Sequence, residues 1–286
     1  MFLDGTMNHK ALLIFLLSMG SALITSPETR RAYFQLIEQF PQLVRPSGNA
    51  ANGEIEIVLD TRVMTQLEKE TGRDIGVVAS DHYYTWINDA CRFPNGKFGV
   101  YGRVLWTQHF KQNLCGVAVL PILQNGKIAL NCNFRHATRS WEVELARGGS
   151  EHNEMAEDAA RRELLEETGL IANNLSLLGI IPGDSGMSGV LCHVFEAEIV
   201  DKQDSAQEDG EAVDQILELT IEEIQQAFNC RYYDCTIKGE PIYVNFRDPF
   251  LAYALMIYKQ RHAESPLFQK LTGHQVWEKT LKFGQY

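Results

Sequence analysis

The chain has 286 residues, 45% of them hydrophobic, enough to bury a sizeable core in two domains or one extended domain. A formal charge of -11 and a pI near 5.2, with no run of basic residues, argue against a duplex nucleic-acid partner and leave room for a small phosphorylated ligand bridged by cations. The cysteines at 91, 115, 132, 192, 230 and 235 form no C-x-x-C pair and no zinc-ligand spacing, so we read them as free, mostly buried thiols of a reducing compartment, the cytoplasm.

Residues 11–24 carry no charge and follow Lys10. The stretch is too short for a comfortable membrane span and reads as a buried helix or, if translation begins at Met7, as the apolar part of a signal peptide that would export the chain. The next helix starts well at Ser26 and Pro27 and offers Tyr33, Phe34, Ile37 and Phe40 as an apolar face, which favours a continuous folded helix. A connection over 46–53 leads to a strand at 54–59 and a helix at 61–70, capped by Asp60 and ended by Gly72. Strands are expected at 75–79, 82–87 and 98–106, the last two joined by a turn through Pro94, Asn95 and Gly96. From about residue 114 a core sheet begins. The run 116–123, the turn Asn125-Gly126 and the run 127–134 predict a strong antiparallel hairpin, with Pro121 at an edge or bulge. Strands follow near 175–181 and 191–200, then an acidic surface loop over 201–214 and a strand at 215–219. A helix starts on the capping box Thr220-x-x-Glu223, and a last one begins at Asp248-Pro249. A mixed sheet flanked by helices is an α/β or α+β sandwich.

Between the expected hairpin at 116–134 and the strand near 175–181 lies the most specific pattern in the chain. Gly148, Glu154, Arg162, Glu163, Glu166, Glu167 and Gly169 occupy the fixed positions of G-x5-E-x7-R-E-U-x-E-E-x-G-U, with Leu164 and Leu170 at its aliphatic sites. Chance would produce this less than about once in 10^6 chains of this length. An acidic helix face is ordinarily just solvated. Here, however, Glu163, Glu166 and Glu167 sit at i, i+3 and i+4, where like charges repel, and no lysine interrupts residues 148–170. A hard divalent cation relieves that repulsion, since Mg2+ prefers carboxylate oxygens and keeps several waters. Asn153 is the expected N-cap, with Glu154, Glu157 and Asp158 in the first turns and Gly169 as the stop. Gly148 and Gly149 would let the preceding backbone bend back toward the same cation.

The pattern is the Nudix box, and residues 110–262 resemble the Nudix hydrolases, with 1–109 as an N-terminal accessory region and 263–286 as a tail. The resemblance implies an α/β/α sandwich with a mixed sheet, dependence on Mg2+ or Mn2+, and hydrolysis of a nucleoside diphosphate linked to another moiety. The segment 134–149, FRHATRSWEVELARGG, is similar to the one before the box in ADP-ribose and ADP-sugar pyrophosphatases, where an arginine, a tryptophan and a glutamate recur; Arg135, Trp141 and Glu144 are the matching substrate-binding candidates. The usual proline before the box glycine is absent, and Pro182 lies twelve residues after Leu170, closer than in that subfamily, which leaves the sugar open.

By the same resemblance Glu163 and Glu167 ligate the cation with the backbone carbonyl of Arg147, Glu166 bridges or positions water, and Arg162 orients a glutamate. Glu154 is a helix cap or an outer contact of the site. The general base comes from a mobile acidic loop, here Glu208, Asp209 and Glu211 around Gly210, with Arg135 as a clamp on the diphosphate. Ser185 and Ser188 line the sugar pocket, and Trp141 or Tyr101 stacks on the base. The subfamily also implies a homodimer through the N-terminal region. Other substrates, namely dinucleotides, coenzyme A or nucleoside triphosphates, and a non-hydrolytic ADP-ribose sensor keep the fold; the complete set of box glutamates favours the enzyme over the sensor.

Overall fold

A computed structural model describes residues 27–204 and 213–263. These fall into two compact units. One comprises the described residues up to Lys111 together with Gly186–Ser188, and the other runs from Gln112 onward. The expectations for residues 11–24 and for the loop 207–211 lie outside the described residues.

The first unit is a four-stranded antiparallel sheet with two longer helices, followed by a short helix α3 (Thr107–Gln112). Its central strand β3 (Tyr84–Arg92) pairs along its whole length with β4 (Phe98–Trp106), and on its other edge with β2 (Gly76–Ser80) and the short β1 (Glu56–Ile57). Helix α1 (Pro27–Gln39) contributes Tyr33 and Ile37 to the core. Helix α2 (Thr61–Thr71) is bounded as expected, since the Asp60 carboxylate accepts from the Arg62 amide and Gly72 is left-handed at φ 66. Buried charge in this core is paired: Asp89 accepts from the Tyr33 hydroxyl and from Arg103, and Glu68 accepts from Arg30 and from the Ile75 amide. The sheet also exposes large aromatics, with Tyr84 and Trp106 as cross-strand partners in edge-on contact.

The second unit carries the box. Its sheet has nine strands in the order β12-β13-β7-β6-β5-β10-β9, with β11 added to β6 and β8 to β5. The expected hairpin of β5 (Gly116–Ile122) and β6 (Ile128–Arg135) is a correction. The two strands pair only at Ile122 and Ile128 and then part. The continuous segment of β7 (Ser140–Glu144) and β8 (Ala146–Gly149) bridges the fork, with β7 on β6 and β8 on β5. On its other edge β5 runs parallel to β10 (Leu191–Lys202), which pairs with β9 (Leu170–Pro182). Pro121 fits inside β5 because β8 pairing ends at Val119 and β6 pairing starts at Ile122, so no ladder partner faces it on that side.

Helices cover both faces. The box helix α4 (Ala156–Thr168) buries Ala159, Ala160 and Leu164 against Val117, Val119, Ala129, Ala146 and Phe195. The opposite face is covered by α5 (Ile221–Cys230), which begins on the expected capping box, and by α6 (Pro249–His262), capped by Asp248. A hairpin of β12 (Tyr232–Ile237) and β13 (Glu240–Asn245), not expected from the sequence, closes the edge beside β7. The result is an α/β/α sandwich. Of the six cysteines, all free, only Cys91, Cys132 and Cys192 are buried, fewer than expected. Among the described residues no helix is long and apolar enough to cross a membrane.

Candidate active site

Strands β6 and β7 alternate with period two, and the two phases differ in chemistry. Leu130, Cys132, Val143 and Leu145 enter the core under α5 and α6. The other phase begins with Ala129 and Ala146 under α4 and continues as Asn131, Asn133 and Arg135 on β6 beside Glu144, Glu142 and Ser140 on β7. This second row is polar yet largely buried, since Asn131, Asn133, Glu142 and Glu144 are 1 to 7% exposed. It forms a floor beside the box helix.

The box helix meets this floor through Glu167. Its Oε2 accepts from Asn131 Nδ2 at 2.5 Å and from the Arg147 backbone amide at 3.1 Å. One turn earlier, the Glu163 carboxylate lies against Gly148: a Cβ there would sit 2.1 Å from its carboxyl carbon. Gly148 therefore serves close approach. It lies in regular strand pairing with Val117 and does not bend the chain, which corrects the expected turning role of Gly148 and Gly149.

Arg162 ties the box together. It donates to both oxygens of Glu154 at 3.0 and 2.9 Å, to Glu163 at 2.9 Å, to Glu166 at 3.0 Å and to the Gly149 carbonyl at 2.8 Å. Glu154 foremost, then Glu163 and Glu166, raise the pKa of Arg162, and Arg162 in turn holds the Glu154 carboxyl below its ordinary value. The cap expectation at this end is corrected. Met155 is the N-cap and makes no side-chain bond, Asn153 sits in a left-handed turn at φ 63, and Glu154 precedes the helix as the two-oxygen partner of Arg162. Gly169 ends the helix as expected, left-handed at φ 72.

A second network lies on the floor. Glu144 accepts from Asn133 at 3.1 Å, Arg135 at 2.5 Å and Arg147 at 2.6 Å. Arg147 also reaches Asp248 at 3.3 Å and lies over the Phe250 ring, while Asp248 accepts from the Leu145 and Phe250 amides. Glu142 is held by Arg247, Ser140 and Thr138; burial would raise its pKa, but these donors bring it below the ordinary value. Burial likewise opposes the charge of Arg135, yet Glu144, Glu167 and Asp248 together raise its pKa. Arg135 Nε is buried with no acceptor.

Of the residues expected from sequence, the structure brings Glu163, Glu166, Glu167, Arg147, Arg135 and Glu144 into this one region. Trp141 lies in the opposite phase, packed edge-on to Phe134 and against the core under α5 and α6, which is a structural position. Ser185 is exposed in the segment after β9, and Tyr101 and Ser188 belong to the first unit, where the Tyr101 hydroxyl donates to the Gly186 carbonyl. Asn131, Asn133 and Arg247 were not singled out from the sequence, and Asp248 was read only as a helix start. The signal for the asparagines was present: polar residues at every second position of otherwise apolar strands.

Among the described residues no group of three or more His, Cys, Asp or Glu side chains converges as a preformed metal cluster. Arg162 holds Glu163 and Glu166, and Asn131 and the Arg147 amide hold Glu167. The donor set nevertheless fits a hard cation: all its side-chain atoms are oxygens, a cradle at Gly148 admits the Glu163 carboxylate, and Asn131 Oδ1 is a buried acceptor without a donor.

Comparison with known proteins agrees with the geometry. A family model described as NUDIX domain matches residues 114–233. The chain is 33% identical over 161 residues to the ADP-ribose pyrophosphatase of Bacillus subtilis (strain 168), covering 56% of this chain and 83% of that protein. It is 31% identical over 112 residues to ADP compounds hydrolase NudE of Escherichia coli (strain K12), covering 39% of this chain and 57% of that protein. A crystal structure of an ADP compounds hydrolase superposes with a TM-score of 0.52 at 20% identity, over 68% of this chain and 94% of that one, and so shares the fold. With the complete box on a helix against a polar strand floor, the chain belongs to the Nudix family and is a pyrophosphohydrolase of it.

Proposed function

We propose that this enzyme hydrolyses the diphosphate linkage of ADP-ribose or a related nucleoside diphosphate sugar, giving a nucleoside monophosphate and a sugar phosphate, with Mg2+ or Mn2+ as cofactor. The observation that carries the reading is the buried polar floor of β6 and β7. It meets the box helix at the Asn131–Glu167 contact and holds Arg135 with a buried Nε–H that no atom of the described residues accepts. The two curated relatives, one an ADP-ribose pyrophosphatase and one an ADP compounds hydrolase, support the substrate class.

Glu163, Glu167 and the Arg147 carbonyl would hold the cation, with Glu166 beside them; when bound, it neutralises the diphosphate and lowers the pKa of water. The residues of the chain do the rest. Arg162 fixes the directions of Glu163 and Glu166, and Glu144 and Asp248 hold Arg147 so that its backbone stays aligned under the helix. Arg135, anchored on Glu144, offers its remaining donors to a phosphate oxygen. Water adds to phosphorus, the P–O bond to the bridging oxygen breaks with its electron pair leaving on the departing phosphate, and the water proton passes to a carboxylate. We assign that base to Glu211, with Glu208 and Asp209 as neighbours able to substitute. The support is that Glu211 stands two residues before Val213 in sequence, the first residue of β11 (Val213–Leu219), whose strand partner is Asn133 on the polar floor. Ser185 is retained as a sugar-pocket candidate on sequence alone. The exposed aromatic set on the first unit, Tyr84, Trp86 and Trp106, is what we assign to pairing of two copies.

A panel of nucleoside diphosphate derivatives incubated with Mg2+ and with Mn2+, with products separated and quantified, tests the assignment. Equal release of AMP and ribose phosphate from ADP-ribose is expected. Turnover confined to dinucleotides, coenzyme A or nucleoside triphosphates would overturn the substrate class.

A further inference from the structure

Asn131 stands at a position where its residue type is disfavoured. It lies inside β6, with Glu144 as its strand partner on one side and Ile216 on the other, and asparagine is depleted in strand interiors. It is 1% exposed. Its two polar atoms are used unequally. Nδ2 donates to Glu167 Oε2 at 2.5 Å, and the carboxylate fixes which end of the amide faces it, because an amide oxygen turned there would meet another acceptor. Oδ1, bonded to the same carbon, is buried and accepts from nothing among the described residues. Asn133, two residues on, donates to Glu144 and leaves no such atom. A buried acceptor beside a box glutamate, without a donor, marks a place where a donor is expected to arrive with something bound.

We propose that Asn131 is a positioning residue of the cation site. Its Nδ2 shares with the Arg147 amide the task of fixing Glu167, and its Oδ1 accepts a hydrogen bond from a water in the cation's shell. Mg2+ suits this arrangement because it keeps several of its waters, each of which needs an outward acceptor. An amide supplies both the donor for the glutamate and the acceptor for the water, which neither a leucine nor an aspartate at this position can do at neutral pH. The proposal rests on the cation reading given above, and its test reads cation binding itself, without substrate.

The experiment measures Mg2+ and Mn2+ affinity by calorimetry, and the melting-temperature gain on adding either cation, for the parent, Asn131→Leu and Asn131→Asp. Asn131→Leu should weaken cation affinity by about 10- to 100-fold, the usual effect of losing a partner that orients metal ligands. Asn131→Asp should melt lower than the parent without cation, because two carboxylates then face each other, and should gain more melting temperature than the parent when the cation is added. A residue of merely structural importance would lower the cation-free melting temperature in both variants and leave the cation-induced gain at its parental size. Affinities of both variants within threefold of a parent that binds would overturn the role of Asn131 alone. A parent that binds neither ion would overturn the cation reading of the whole site together with this proposal. If Asn131→Leu fails to fold, the opposite signs expected for Asn131→Asp without and with cation still decide the matter.

Discussion

Strands β6 and β7 present two faces built from the same backbone ladder, and the difference between them separates folding from function. On one face Leu130, Cys132, Val143 and Leu145 are buried among apolar neighbours under α5 and α6. On the other, Asn131, Asn133, Glu142 and Glu144 are almost equally buried, yet their environment is a set of arginines and the box glutamates. Burying such groups gains little stability over a well-packed apolar face and often loses some. A polar row of this kind, with an arginine and an asparagine each keeping a buried atom unpartnered, is what a face shaped for a charged ligand requires.

Variants on the two faces should therefore separate kinetics from stability. The largest kinetic effect is expected at the proposed base, which belongs to neither face. Glu211→Gln should lower kcat by roughly 10^2- to 10^4-fold with KM nearly unchanged, the range for loss of a general base. Glu208→Gln, Asp209→Asn and Glu166→Gln are to be measured beside it as pH profiles under saturating Mg2+. Parental kcat in all three loop variants with collapse only in Glu166→Gln would move the base onto the helix. On the apolar face, Leu130→Ala should cost about 2–5 kcal/mol in unfolding free energy while leaving kcat per folded molecule unchanged; a kinetic defect without a stability loss would break the division of labour. Arg135→Ala should raise KM for ADP-ribose by an amount equal to about 1.5–3 kcal/mol, the value of a charge-assisted contact. An unchanged KM would make Arg135 only the partner of Glu144.

The smallest effect is one of pH. The Glu154 carboxyl is lowered from 4.5 by Arg162, so its contribution to stability is full above that ordinary value and fades as pH falls through the lowered folded-state value. Glu154→Gln should melt below the parent at neutral pH, and the gap should narrow as pH falls below the ordinary glutamate range. A constant gap from pH 7 to pH 3 would mean that the pair contributes through shape and not charge.

Much of this site was legible before any coordinates. The glutamate spacing on α4, its stop at Gly169 and the helix starts at Asp60, Thr220 and Asp248 follow from local pattern, because helix ends and i, i+4 faces are set by neighbours in sequence, whereas Arg135 and Glu144 were reached through the resemblance of residues 134–149 to the segment before the box in ADP-sugar pyrophosphatases. The fork between β5 and β6 was not legible. Nothing in residues 116–134 says that a later segment will take over both free edges after a single pair, so a turn at Asn125-Gly126 reads as a long hairpin. Asp248 illustrates the same limit. Its role as a helix cap is local, but its contacts with the Leu145 amide and Arg147 join residues about a hundred positions apart. The side of the sheet that Trp141 faces was not legible either, since only the pairing with Phe134 sets its phase.

The most direct test of the account compares the parent with Glu167→Gln on ADP-ribose and Mg2+, following AMP and ribose phosphate release and the melting temperature of the same samples. Glutamine keeps an oxygen to accept from Asn131 and the Arg147 amide, so the melting temperature should stay near the parent while hydrolysis falls by several orders of magnitude. Hydrolysis within about threefold of the parent would remove Glu167 from the cation's ligands and contradict the central claim.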